Sequence, residues 1–159
     1  RPWCIITKKQ QGCMQSHEGR FSCHVKSGTA IVNPQTQERY VVYNISVEDS
    51  YTVKAVKSQW TVAKRYREVC DFARRLQYID ARDGLSLAVP SMPPKTYSFH
   101  ARSPAIIVMR TEVFNSFFED ITTPDKFLRI VSFAPAFRLL DNFLGITQHH
   151  PGLTSSLSV

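Results

Sequence analysis

The chain lacks any long apolar run. Its longest, Ala105 to Met109, is five residues, far short of the ~20 that a helix needs to cross a bilayer. It also lacks a Gly-rich phosphate loop, an HExxH helix and a GxSxG turn, the signatures of phosphoryl transfer, zinc hydrolysis and acyl transfer. The expectation is a protein that is not an enzyme and needs no cofactor. Cys4, Cys13, Cys23 and Cys70 form no CxxC pair, and a chain with a good apolar core does not need disulfides, so free thiols in a reducing compartment are expected. Cys13, His17, Cys23 and His24 are ligand types without a finger spacing. Cys23 and His24, neighbours on a strand, point opposite ways, so no metal site is expected. The chain starts at Arg1 without Met or a leader pattern and reads as a domain excised from a longer protein.

What is present is enough apolar residues for a core, 43% of 159, and an excess of bases, 20 against 13 acids. That excess is local. Residues 51 to 110 hold 11 bases and four acids, while the remaining 99 residues hold nine of each. A basic face of this kind favours an anionic partner: a membrane surface, a nucleic acid or an acidic protein.

The hydropathy pattern divides the chain. Residues 1–20 form an extension of no assigned role. Phe21, Cys23 and Val25 alternate, Thr29 to Val32 is β-prone, and Asn33-Pro34 marks a turn. Arg39 to Val47 and Gln59 to Lys64 alternate as strands. The period then changes: Val69, Phe72, Ala73 and Leu76 predict a helix from Tyr66 to about Tyr78, ending before Asp83-Gly84. Leu85 to Ala101 reads as an irregular, Pro-containing loop. Ser103-Pro104, Thr123-Pro124 and Pro135 each open a helix. Residues 148–159, with His149 and His150, read as a mobile, solvated tail. Strands followed by helices predict an α+β domain over residues 21–147, with a three-stranded antiparallel sheet packed against a helical subdomain.

Three elements carry chemistry. On the wheel of the helix from Pro104, Arg110 falls in the middle of the stripe formed by Ile106, Val113, Phe114, Phe117 and Ile121. A guanidinium cannot shed its charge, so this position implies either an internal ion pair or a pocket that receives an anion. Lys64-Arg65-Tyr66-Arg67 straddles the change from strand to helix, with Arg65 on the face opposite Trp60 and Val62. It reads either as a solvated charge run or as a base held at a helix N-terminus that favours anions. Pro90-Ser91-Met92-Pro93-Pro94-Lys95 is a stiff extended arm that fixes Lys95, and alone it could equally be an SH3-type ligand.

In order and spacing these elements resemble the PX (phox homology) domain, over about Phe21 to Ile146. The matching motifs are Lys64-Arg65-Tyr66, the PxxPxK run ending at Lys95, the helical run Arg110 to Phe118, and a closing helix from Phe137 to Leu144. Glu68-Val69 and Thr111 depart from the family's usual residues. The resemblance implies a phosphoinositide-binding module in which Arg65 holds the 3-phosphate, Tyr66 stacks under the inositol ring, Lys95 meets the 1-phosphate and Arg110 binds the 4- and 5-hydroxyls. It implies a preference for phosphatidylinositol 3-phosphate and a cytoplasmic protein peripheral on endosomal membranes. Tyr97, Phe99, Met92 and Val89 are candidates for bilayer insertion, against the alternative that they fold back on the core. The competing readings are a protein-interaction module of PX type with weak or broad lipid preference, and a nucleic-acid-binding domain. The second explains the charge but not a Pro arm beside an Arg centred on an apolar stripe, so nucleic acid is not expected as a partner.

Overall fold

The structure, a computed structural model, describes residues 19–52, 57–92 and 102–150. Three strands, β1 (Phe21–Val32), β2 (Arg39–Asp49) and β3 (Ser58–Arg65), form an antiparallel sheet in the order β1-β2-β3. Five helices follow: α1 (Tyr66–Asp83), α2 (Pro104–Ile121), α3 (Pro124–Ser132), α4 (Ala134–Leu144) and the single turn α5 (Ile146–His149). This is the α+β architecture that the sequence pattern predicts.

Alternation turns Phe21, Cys23 and Val25 of β1 and Tyr43, Ile45 and Val47 of β2 inward, where all are buried. They meet Phe114, Phe117 and Phe118 of α2, Leu76 of α1 and Leu140 of α4 in one core. β1 is continuous but bulged: Val25 pairs with Ile45 and Ser27 with Asn44, leaving Lys26 as the extra residue. A bulge shifts the inward parity of the strand after it. Asn115 of α2 serves the bulge, accepting from Val25 N at 2.7 Å and donating to Val25 O at 3.3 Å. Beyond it Gly28 lies so close to α2 that a Cβ there would sit 2.5 Å from Ile107 Cγ2. These two contacts set where α2, and with it Arg110, crosses the sheet.

α1 runs five residues past Tyr78, the expected end, and stops at Gly84, whose φ of +63° is a left-handed cap. The segment after it is strapped back. Leu87 N donates to Asp80 Oδ1 at 3.0 Å, Gln77 Nε2 to Pro90 O at 3.0 Å, and Arg129 Nη1 to Ser86 O at 2.9 Å. The Pro arm therefore leaves a fixed point on α1. Cys23 and Cys70 are free thiols.

The C-terminal end corrects the sequence reading. His150 is buried, whereas His149 stays exposed on one side although its ring is stacked. His149 stacks on Trp60 with ring centroids 4.5 Å apart, and buried His150 Nε2 lies 3.1 Å from Oδ2 of fully buried Asp49. The geometry there is that of an ion-pair contact rather than an aligned hydrogen bond. Trp60 Nε1 donates to Leu144 O at 2.8 Å. The packed unit thus extends past the expected boundary at 147 to His150. A polar composition suggests solvent, but here a sheet tryptophan and a buried carboxylate supply partners that only the fold brings near.

Candidate functional site

The site grows from the junction of β3 and α1. Arg65 is the last strand residue and the N-cap of α1, with extended φ and ψ of −75° and 156°. Its N–H donates to Glu68 Oε2 at 2.6 Å, the backward half of a capping box. Glu68, a departure from the family pattern, therefore fixes the backbone that carries Arg65, and Val69 beside it is fully buried. Alternation then separates the two bases of the motif. Lys64 turns inward, its Nζ 5.0 Å above the Phe143 ring, while the Arg65 guanidinium lies 3.6 Å from the Tyr40 ring centroid. Glu38, an exposed carboxylate, sits 3.9 Å from Arg65 Nη1, at the limit of an ion pair.

Tyr66 opens α1. Its ring packs on Phe114 of α2 at 5.8 Å, and the Arg110 guanidinium lies 3.7 Å from its centroid. Arg110 is 4% exposed. The sequence wheel left two fates for it, an internal ion pair or a pocket wall. The structure sets its guanidinium over an aromatic face, a contact that stabilises a cation without itself cancelling the charge. The buried Tyr43 hydroxyl lies beside the same guanidinium, without meeting hydrogen-bond geometry, and burial raises its pKa above the ordinary value despite that positive neighbour. The Tyr66 hydroxyl donates to Cys70. Burial first, and this bond second, push the Tyr66 pKa up to about 12, against the pull of Arg110. Burial likewise raises the Cys70 thiol, outweighing the bond from Tyr66 and the charges of Arg110 and Arg74.

Of the residues predicted from the sequence, the structure brings Tyr66 and Arg110 into contact. It places Arg65, next in the chain, on Tyr40. Lys95, Tyr97 and Phe99 lie outside the described residues. Val89 and Met92, candidates for bilayer insertion, are half-buried against the core, and Leu87 is fully buried. Apolar side chains fold back where α1 offers them a surface. Three residues of the site escaped the sequence reading: Tyr40, Tyr43 and Glu38. Tyr40 reaches Arg65 because β2 and β3 pair with Val42 opposite Arg65. Val108, 56% exposed, and Met109 are large apolar side chains left open to solvent on α2. Their signal was the run Ala105–Met109, too continuous for a single buried stripe.

Three cations resting on rings around a strand-to-helix junction are suited to an anion carried on a flat, partly apolar ligand. The PX domain family matches the chain over residues 52–134, which is more than half of its length. The chain belongs to the PX domain family. The family's members are generally phosphoinositide-binding, membrane-targeting modules and are not enzymes. The X-ray structure of a designed CISK-PX domain shares the fold of this PX domain with a TM-score of 0.52. The identity is 22%, over 77% of this chain and 97% of that one. The crystal structure of the mouse SNX19 PX domain with bound sulphate ion gives a TM-score of 0.48 and 16% identity, over 80% of this chain and 97% of that one. Comparison with curated proteins gives no match. Among the described residues of this PX domain, no helix is long and apolar enough to cross a membrane.

Proposed function

We propose that this PX domain reads phosphatidylinositol 3-phosphate and so holds its parent protein, from the cytoplasmic side, on endosomal membranes. The observation that carries the reading is Arg110, a nearly buried guanidinium lying on Tyr66 at the junction that Arg65 caps. The family's roles transfer to these positions. Arg65 meets the 3-phosphate with a planar fork. Tyr66 offers a flat wall to the sugar ring, and Arg110 meets the 4- and 5-hydroxyls. Lys95, at the end of the Pro arm, meets the 1-phosphate. A phosphomonoester carries about −1.5 to −2 charge near neutral pH, and each charge-assisted contact contributes ~1.5–3 kcal/mol. Tyr97 and Phe99 enter the interface, and Val108 and Met109, exposed on the N-terminal half of α2, offer further apolar area.

The test is a liposome panel of all phosphoinositides with the wild type, Arg65→Ala and Arg110→Ala. Selective binding of the 3-phosphate lipid by the wild type, lost in both folded variants, is the expected result. Binding that follows total vesicle charge alone, with both variants equal to the wild type, would overturn the reading. Replacing Tyr97 and Phe99 by Ala is expected to weaken vesicle binding and spare soluble head-group binding; equal loss of both would remove the insertion step.

A further inference from the structure

The outer face of the sheet, turned away from the helices, carries a second charged surface. β1 presents His24 and Lys26 outward, with Arg20 at its entrance in line with them, and all three are exposed. An open depression of about 460 Å³ lies between this row, Ser46 and Glu48 of β2, and Gln59 of β3. Its floor is polar: Gln59 Nε2 donates to nearly buried Ser46 at 3.4 Å. Its acid is already engaged, because Lys57 Nζ lies 3.4 Å from Glu48 Oε2. Arg20 and Lys26, with His24 between them, therefore leave the depression net positive.

Its position separates it from the head-group residues. Gln59 pairs with Glu48, whereas Arg65 pairs with Val42, six residues further along β2. At ~3.3 Å per residue that is about 20 Å. The depression and the Arg65 junction are therefore far enough apart for each to be occupied independently. We propose that it receives an extended, acidic peptide segment of a partner protein, with carboxylates at alternate positions. Outward side chains on a strand recur every second residue, and an extended peptide repeats at the same spacing. Its carboxylates thus fall opposite Arg20 and His24, two strand periods apart, while Lys26, the bulge residue, adds charge at the end of the row. The segment cannot come from this chain's own ends on grounds of charge. Residues 1–18 hold Arg1, Lys8 and Lys9 against Glu18, and residues 151–159 hold no charged side chain.

This binding goes beyond lipid reading, and its first test uses no lipid. The probe is a labelled peptide of alternating Glu and Thr, with alternating Gln and Thr as control, titrated into the domain and followed by anisotropy and by amide NMR. The Glu peptide is expected to bind, to shift Ser22, His24, Lys26 and Gln59, and to weaken about tenfold in the Arg20→Glu/Lys26→Glu double variant. A thermal melt checks that these exposed substitutions leave the fold intact, and the single variants serve if the double does not fold. In a second arm, wild type bound to vesicles of phosphatidylinositol 3-phosphate is expected to recruit the peptide, and the double variant to bind those vesicles as the wild type does. Absent binding, equal binding of the Gln peptide, or shifts centred on Arg65 and Tyr66 would each overturn the proposal. So would loss of vesicle binding in the folded double variant, which would make this a membrane face.

Discussion

Cations are held in two different ways in this PX domain. Around the β3–α1 junction they rest on rings: Arg65 on Tyr40, Arg110 on Tyr66, Lys64 on Phe143. Around α3 they rest on carboxylates. Lys126 Nζ meets both oxygens of Asp120 at 2.9 and 2.7 Å, and Arg129 meets Asp125 at 2.9 Å. His150 likewise faces a carboxylate, its Nε2 3.1 Å from buried Asp49. That carboxylate also accepts from Tyr51 N and Thr52 N at 2.9 Å and from the Thr52 hydroxyl. A carboxylate cancels the charge it holds, whereas a ring stabilises a cation without cancelling it. The carboxylate contacts around α3 tie parts of the fold together, whereas the ring contacts at the junction do not themselves cancel the charge they hold.

The sharpest way to break this comparison is to neutralise one cation from each group. Arg110→Gln is expected to weaken binding to vesicles of phosphatidylinositol 3-phosphate by about tenfold to a hundredfold. Lys126→Gln is expected to leave that affinity within about twofold and to lower stability in urea melts by ~1 kcal/mol or less. Equal effects on affinity would abolish the distinction. His150→Ala is the next largest. It withdraws one partner from fully buried Asp49 and unstitches α5, so unfolding should show a loss of about 1–3 kcal/mol with lipid affinity unchanged.

Tyr66 sharpens the comparison from the side of the ring. Its folded pKa, about 12, lies above the ordinary value of 10. The folded state therefore holds the phenol proton more tightly than the unfolded chain does. The stabilisation is complete below pH 10 and is lost as pH rises toward 12. Tyr66→Phe should flatten that alkaline decline in melts of folded protein while keeping lipid binding, because it retains the ring face that Arg110 rests on and that we propose meets the sugar. The smallest effect belongs to Glu38, a carboxylate near the Arg65 guanidinium. Its contact with Arg65 is long and exposed, and such pairs contribute about 0–1 kcal/mol. Glu38→Gln should tighten vesicle binding by no more than about fivefold, most visibly at low salt; weaker binding would show that Glu38 positions Arg65 rather than competing with the lipid.

Much of this was legible along the chain. The change from two-residue to helical periodicity at Tyr66 marked the junction, and the wheel placed Arg110 among apolar residues before any coordinates. What Arg110 rests on was not legible, because Tyr66 is 44 positions away and their contact depends on how α2 crosses the sheet. That crossing is set by Gly28 and by Asn115 at the Val25 bulge, and neither has a local signature: a glycine in a strand and a polar residue on a helix flank look unremarkable alone. The histidine pair failed in the opposite direction. Its composition suggested solvent for both rings; His149 is exposed, while His150 is buried beside Trp60 and Asp49, which are remote in sequence.

The amino-acid order by itself determined the strands, the helix starts, the local excess of bases and the family, because periodicity, capping and charge are properties of neighbouring residues. The tertiary structure alone decided which bases lie on rings and which on carboxylates, and where the C-terminal turn is clasped. Those contacts join residues tens of positions apart, and their partners are chosen by sheet register and helix crossing.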